Sequence, residues 1–246
     1  MSASALASVD FPQSIVASIQ EIRHRQNAGQ MLNIPFFVHI QRHRMTETEL
    51  REFFFQYYSI VKTSYRMLAA GILNTAPEDA GAIRALVRFL DTESGGDPSH
   101  IMLYLRWVEH FGISPADLAA AKPNKQSRAF EDTLMDCFSS SDIVIHKAAQ
   151  LGLEDSAEVL ITGLNRGFKH YDLPPRAYGY LMAHMLLEND EDGHSRWAID
   201  SLAETPHLSH RLDELETVYH RVYKAFEGVF NGVYETWTNN ARAVAG

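Results

Sequence analysis

Three segments of the sequence combine carboxylates with histidines, a combination that suits divalent metals. In the first, Gly95-Gly96 follows Glu93, and Asp97-Pro98 comes shortly before His100. A glycine pair typically ends a helix, and an N-cap residue followed by proline typically begins the next one. We therefore expect Glu93 on a last helical turn and His100 on a first turn, folded back toward each other. Such a pair suits iron or manganese; the alternative is a solvated glutamate beside a histidine that caps its helix.

A second segment places a glutamate after a run of small and apolar residues. Glu154 follows residues 148–153, whose pattern predicts a buried helix face. A buried carboxylate is costly unless something binds it, which makes Glu154 a candidate metal ligand. Glu158 lies one helical turn further on, so either glutamate could be the inward one. The alternative is that Glu154 is a surface residue beside Asp155.

A third segment, from His184 to His194, is rich in carboxylates. At about 100° per residue, His184, Glu188 and Glu191 lie within about 60° of one another on a helix. His194 lies about 80° from His184 and about 15 Å along the axis, so it joins them only if the helix is irregular, as Gly193 would permit. The alternative is a solvated acidic face. The Leu and Met residues around His184 argue against it.

The three segments lie in a chain whose apolar pattern is helical almost throughout. Apolar residues recur at helical spacing after a capping box at Thr46 and Glu49, and Ser114-Pro115 begins another helix. Three longer segments are also periodic: 142–171, 174–203 and 208–243. Strand-like alternation, repeats and low-complexity linkers are absent from the sequence. We therefore predict one all-α domain over residues 1–246, a bundle of about seven or more helices. Its core would receive about six oxygen and nitrogen ligands, as a dinuclear iron or manganese site needs.

The composition narrows the class of protein. With 22 basic and 31 acidic residues, the formal net charge is −9, which argues against nucleic-acid binding because that requires a basic patch. The one cysteine, Cys137, excludes an intrachain disulfide and fits a reducing compartment. The N-terminal residues lack the basic and apolar regions of a signal peptide, and no run approaches the roughly 18 apolar residues of a membrane span. We expect a cytoplasmic protein with no nucleic-acid or membrane partner.

The sequence resembles the haem-oxygenase-like diiron oxidases and oxygenases, within the wider thiaminase-II and pyrroloquinoline-quinone-synthase-like fold. The resemblance covers most of the chain and is carried by Asn33-Ile34-Pro35-Phe36, Met45-Thr46, residues 52–58, Leu90-Asp91-Thr92-Glu93 with His100, Phe111-Gly112-Ile113-Ser114, Glu154 and His184-x-x-x-Glu188. It implies a haem-oxygenase-like helical bundle that binds two ferrous ions, or manganese, through five residues: Glu93, His100, Glu154, His184 and Glu188.

The last metal ligand departs from the family's pattern. That ligand is usually a histidine three residues after the second carboxylate, where this chain has Glu191, and the nearest histidine is His194. Either Glu191 replaces the histidine, or an irregular helix brings His194 into the site.

The resemblance implies that the protein activates O2 to oxidise a small molecule in natural-product biosynthesis. Relatives carry out N-oxygenation, desaturation and oxidative C–C or C–N cleavage, and we expect an amino-acid-derived amine as substrate. An external electron donor and a homodimer are further expectations. The expected substrate pocket contains Phe54, Tyr58 and Tyr65, although aromatic residues at helical spacing also serve as core. The apolar stripe from Val218 to Phe230 either covers the bundle or forms the dimer interface.

Relatives within the same fold supply the competing functions. Thiaminase-like hydrolases use a Gln-Asp-Tyr motif, but this chain has Gln56-Tyr57-Tyr58 and therefore lacks the aspartate. Cys137 lies roughly where their nucleophile would be, yet a free cysteine is most often a small buried apolar residue. Pyrroloquinoline-quinone-synthase-like oxidation needs a basic pocket, which an acidic chain does not favour. A non-catalytic ligand-binding or regulatory protein of the same fold is the remaining alternative.

Overall fold

Helices form all the regular structure of the residues that the computed structural model describes, which are 12–26, 28–188 and 194–245. The α-helices in chain order are α1 (Pro12–Gln26), α2 (Pro35–Arg42), α3 (Glu47–Asn74), α4 (Ala80–Ser94), α5 (His100–His110), α6 (Pro115–Ala120), α7 (Lys125–Phe138), α8 (Ile143–Phe168), α9 (Pro175–Glu188), α10 (His194–Ala203) and α11 (Leu212–Ala245). Short 3-10 helices span Ala28–Asn33 and Leu208–Arg211. The predicted all-α fold is confirmed. Across these ranges, no helix is long and apolar enough to cross a membrane.

Two capping boxes fix the starts of α3 and α6, as the sequence predicts. At α3, the Thr46 hydroxyl accepts a hydrogen bond from the backbone N–H of Glu49, whose carboxylate in turn accepts one from the Thr46 N–H. Ser114 and Asp117 make the same reciprocal pair at α6. Each box satisfies backbone donors that the first turn of a helix leaves unpaired.

One expectation about a helix boundary is wrong. Asp97-Pro98 does not begin the helix that carries His100: Ser99 occupies the N-cap position, α5 starts at His100, and the Asp97–Pro98 peptide bond is cis. In the periodic segment 174–203, the structure describes α9 as far as Glu188 and α10 from His194, and residues 189–193 lie outside the described residues.

Helix α8 lies at the centre of the bundle and is buried on most of its faces. It packs against α2, α7, α9, α10 and α11. Two of its glycines permit close approaches: a Cβ at Gly152 would lie 2.9 Å from the carbonyl oxygen of Tyr219 on α11, and one at Gly163 would lie 2.6 Å from the Phe37 ring on α2. The small-residue run before Glu154 therefore marks the line along which α8 meets α11.

The apolar stripe of α11 covers the bundle. Its members are all buried within the single chain: Val218, Tyr219, Val222, Phe226, Val229 and Phe230. They join the same hydrophobic core as residues of α2, α3, α7 and α8. The stripe is thus occupied by intramolecular packing, and a homodimer would have to use another face.

We predict that Gly152→Ala lowers the free energy of unfolding by about 1–3 kcal/mol, because the new methyl group meets backbone rather than a movable side chain. Urea denaturation followed by circular dichroism measures the change. The matched control is Gly228→Ala on α11, whose added Cβ would have no neighbour within 4 Å. It should leave stability unchanged or raise it by up to about 1 kcal/mol. Equal effects of the two substitutions would contradict the close packing of α8 on α11.

Candidate metal centre

Five of the predicted metal ligands border one cavity of about 70 Å³. They are Glu93, His100, Glu154, His184 and His194. The rest of the wall is mainly apolar and comes from α3, α4, α8, α9 and α11. The two remaining predicted ligands cannot be located: the side chain of Glu188 and the whole of Glu191 lie outside the described residues.

The corner between α4 and α5 brings Glu93 and His100 together, as the sequence predicts. His100 Nδ1 lies 3.2 Å from Glu93 Oε2. The Tyr65 hydroxyl bridges the two helices at this corner: it donates to the Glu93 carbonyl oxygen at 3.0 Å and accepts from the Ile101 N–H at 3.3 Å. Burial raises the pKa of Glu93, but three neighbouring histidines, His100 foremost, together outweigh that effect and the pKa lies below its usual value. Glu93 is therefore ionised at neutral pH.

His184 faces His100 across the cavity and is held as a neutral imidazole. The two ring centroids are 4.7 Å apart. Burial, together with the charge of His100, lowers the pKa of His184 to about 4. His184 Nδ1 lies 3.0 Å from the carbonyl oxygen of Tyr180, so Nδ1 carries the proton and Nε2 carries the lone pair. A neutral imidazole whose other nitrogen donates to a carbonyl is the form in which histidine binds metals.

Glu154 is the inward glutamate of α8, which resolves the choice between Glu154 and Glu158. Glu154 is only 7% exposed, and its Oε2 lies 3.4 Å from Nδ1 of His194, the first residue of α10. The Gln150 amide, one turn earlier, donates to Glu154 Oε1. Glu158 instead lies near the surface, with Oε2 4.0 Å from Arg23 Nη2.

The described ligands approach one another in pairs rather than as a cluster. Across residues 12–26, 28–188 and 194–245, no group of three or more His, Cys, Asp or Glu side chains is close enough to hold a metal ion. The donor types nevertheless fit iron or manganese, since buried carboxylates and imidazoles border one cavity and His184 presents an available lone pair. Among the described residues, the side chains that pair with Glu93 and Glu154 are imidazoles and the Gln150 amide.

Asp155, the residue after Glu154, supports the site from a different side of α8. It is 3% exposed, and Arg23 of α1 binds both of its carboxylate oxygens at 2.7 Å. Tyr219 of α11 donates to it at 2.8 Å, and Ser195, next to His194, donates at 3.1 Å. The sequence gives no sign of this role, because the partners of Asp155 are distant in the chain and leave no local pattern.

The three aromatic residues expected to form the substrate pocket lie behind the cavity wall. Phe54 packs edge-on against Trp107 with 5.0 Å between ring centroids, and Tyr58 stacks on Tyr104. Tyr65 holds the α4–α5 corner. Among the described residues, the tyrosines that border the cavity are Tyr57 and Tyr180, whose hydroxyl oxygens are 2.8 Å apart. On α3, the tyrosine that borders the cavity is therefore Tyr57, the residue before the predicted Tyr58.

Cys137 lies away from the cavity. It is fully buried in α7, and its thiol accepts a hydrogen bond from Arg221 of α11. Burial raises the pKa of this thiol, which opposes formation of the thiolate that a nucleophile requires. The position therefore matches a packing role.

Comparison with known proteins identifies the family. A family model described as iron-containing redox enzyme matches residues 51–227, a span that includes every residue bordering the cavity. The chain belongs to this family of iron-containing redox enzymes. Two relatives are named 4-aminobenzoate synthase, one from Chlamydia trachomatis and one from Chlamydia muridarum. Each is 26% identical over 156 residues, which is 63% of this chain and 67% and 65% of those proteins.

Solved structures show that the fold is the haem-oxygenase-like bundle implied by the resemblance. A domain with a haem-oxygenase-like fold from Shewanella denitrificans matches with a TM-score of 0.76, covering 94% of this chain and 95% of that one. A TenA homolog from Pseudomonas syringae matches with 0.74 over 94% and 98%. A CADD-like protein from Nostoc punctiforme matches with 0.70 over 88% and 98%. Each is 14% identical to this chain, so the likeness concerns the fold alone.

We predict that Asp155→Ala lowers the free energy of unfolding by about 2–3 kcal/mol, because it leaves Arg23 and the Tyr219 hydroxyl without their buried acceptor. Chemical denaturation of the metal-free protein measures the loss. The matched control is Asp136→Ala, which removes an interhelical Arg–Asp pair at the surface with Arg221. It should cost less than about 1 kcal/mol. A cost for Asp155→Ala no larger than the control's would contradict a supporting role.

Proposed function

We propose that this protein is a non-haem diiron oxidase that uses O2 to oxidise a small molecule. The observation that carries the proposal is the convergence of Glu93, His100, Glu154, His184 and His194 on one cavity. Membership of a family of iron-containing redox enzymes supports iron as the metal. Manganese is compatible with the same donor types.

The two halves of the cavity suggest how the ligands divide. Glu93 lies beside His100, whose ring lies 4.7 Å from that of His184, and we propose that these three close around one metal, while Glu154 and His194 would hold the other. Glu188 is proposed as a further ligand from its position in the sequence, and Glu191 is the alternative to His194 at the second metal position. When bound, ferrous iron supplies the redox chemistry by which O2 becomes an oxidant of the substrate.

The protein's own side chains prepare the site for that chemistry. Glu93 is ionised, and the Tyr180 carbonyl keeps the lone pair of His184 on Nε2, so neither ligand has to lose a proton when a metal binds. Apolar residues such as Ile60, Leu160 and Ile161 line the wall between the ligands and keep bulk water away.

We further propose that the substrate is an amino-acid-derived amine and that the reaction belongs to natural-product biosynthesis. The name of the two chlamydial relatives, 4-aminobenzoate synthase, supports an aminated small molecule. An external electron donor would complete the reaction, and a homodimer would have to form through a surface other than the α11 stripe.

The test is an anaerobic ferrous titration followed by addition of O2, monitored by Mössbauer spectroscopy and stopped-flow absorbance. We expect about two irons per chain and O2-dependent oxidation of ferrous to ferric iron. Glu154→Ala and His184→Ala should each reduce the iron content to about one per chain or less. Glu158→Ala, one turn from Glu154 and near the surface, is the matched control and should keep the wild-type iron content. A wild-type protein that takes up no iron would overturn the proposal.

A separate comparison decides which residue completes the second metal position. We expect His194→Ala to reduce the iron content and Glu191→Ala to leave it near the wild-type value, because His194 Nδ1 already lies 3.4 Å from Glu154. Iron analysis of both variants after anaerobic loading and desalting measures the difference. The opposite ranking would assign the position to Glu191 and leave His194 as a neighbour of Glu154 that binds no metal.

A further inference from the structure

Gln150 combines deep burial with an unused hydrogen-bond acceptor at the cavity wall. The side chain is 4% exposed, and it borders both the metal cavity and a smaller neighbouring cavity of about 20 Å³. Its Nε2 donates to Glu154 Oε1. A carboxylate only accepts hydrogen bonds, so the amide must turn its NH2 group toward Glu154 and its oxygen away. That oxygen, Oε1, has no hydrogen-bond partner.

Two polar side chains that share a cavity with Gln150 already donate their hydrogen bonds elsewhere. Lys147, one turn earlier on α8 and also at the smaller cavity, donates to the Ser201 carbonyl oxygen and the Thr205 hydroxyl. Ser64, at the metal cavity, donates to the Val61 carbonyl oxygen. A buried acceptor left unpaired costs about 1–3 kcal/mol, so a donor is expected to occupy this position when the site is in use.

We infer that Gln150 Oε1 accepts a hydrogen bond from the substrate, and that the substrate therefore presents an N–H or O–H group on an otherwise apolar body. No Lys or Arg side chain is among the described residues that border the cavity, so an anionic head group would find no cationic side chain there. The space is small: about 70 Å³ holds roughly five to seven water-sized groups. Gln150 is thus a specificity-determining residue for amines, alcohols or amides of modest size.

This inference rests on the proposed function, and it assigns Gln150 a different role from the metal ligands. Through Nε2, the side chain orients Glu154, and through Oε1 it selects the substrate. Nε2 and Oε1 belong to one amide group. The substrate N–H or O–H group that binds Oε1 would therefore lie near Glu154 and the proposed second metal position.

The test compares two isomeric probes, butan-1-ol and methyl propyl ether, which contain the same atoms but differ in having a hydrogen-bond donor. Ligand-observed NMR titration gives the dissociation constant of each for the anaerobic ferrous protein and for the metal-free protein. We expect the wild type to bind the alcohol more tightly than the ether, and Gln150→Met to reduce that preference by about tenfold. The matched control is Gln126→Met, since Gln126 pairs with Glu235 on α11 outside the cavity. It should keep the full preference.

The outcomes separate this inference from the proposed function, because the iron content is measured on the same samples. Equal binding of alcohol and ether by the wild type would overturn the inference, since a water molecule would then be the partner of Gln150 Oε1. So would a Gln150→Met variant that weakens both probes equally, because that is general damage to the cavity. Either result with about two irons per chain leaves the diiron proposal intact. Absence of iron from the wild type overturns the diiron proposal instead.

Discussion

Two consecutive carboxylates on the central helix are buried, and the arrangement of the surrounding helices follows from the need to compensate them. Burying a charge is costly unless it is paired and hydrogen-bonded. Glu154 and Asp155 point to different sides of α8, and their compensation differs. Asp155 receives a guanidinium, a phenol and a hydroxyl. Among the described residues, Glu154 has an imidazole and an amide beside it, whereas Asp155 has a guanidinium, so the charge of Glu154 is the less completely balanced of the two.

This difference gives α8 two sides with different roles: a structural side that carries Asp155 and a chemical side that carries Glu154. The structural side uses Asp155 to join α1, α10 and α11, whereas the chemical side leaves Glu154 in a cavity with room for a cation. The Glu93–His100 pair is supported in a similar way. It lies at the corner between α4 and α5, where the Tyr65 hydroxyl hydrogen-bonds to the backbone of Glu93 on one side and of Ile101 on the other. Ligands are thereby positioned by groups that are themselves fixed, which is what a precise metal site needs.

Sequence reasoning recovers the parts of this site that are written into local spacing. The glycine pair after Glu93 predicts the corner with His100, and the small-residue run before Glu154 predicts its burial. The same reasoning cannot choose between Glu154 and Glu158, since both lie on one face and only the position of Arg23 separates them. Sequence reasoning does not predict the role of Asp155 either, because its partners come from three helices that are distant in the chain. It does not predict the role of Gln150, because a side-chain oxygen is recognised as unpaired only once all the groups around it are known.

Asp155 also connects α1 to the site, although no described residue of α1 borders the cavity. Arg23 of α1 and Ser195 of α10 bind the same carboxylate, so α1 and the start of α10 are linked through two hydrogen-bonded contacts. His194 is the residue next to that link. A shortened chain that began after α1 would keep every cavity residue, yet it would leave Asp155 without its guanidinium and would loosen the end of the helix that carries His194. Helix α1 therefore helps to fix the position of His194, a proposed metal ligand.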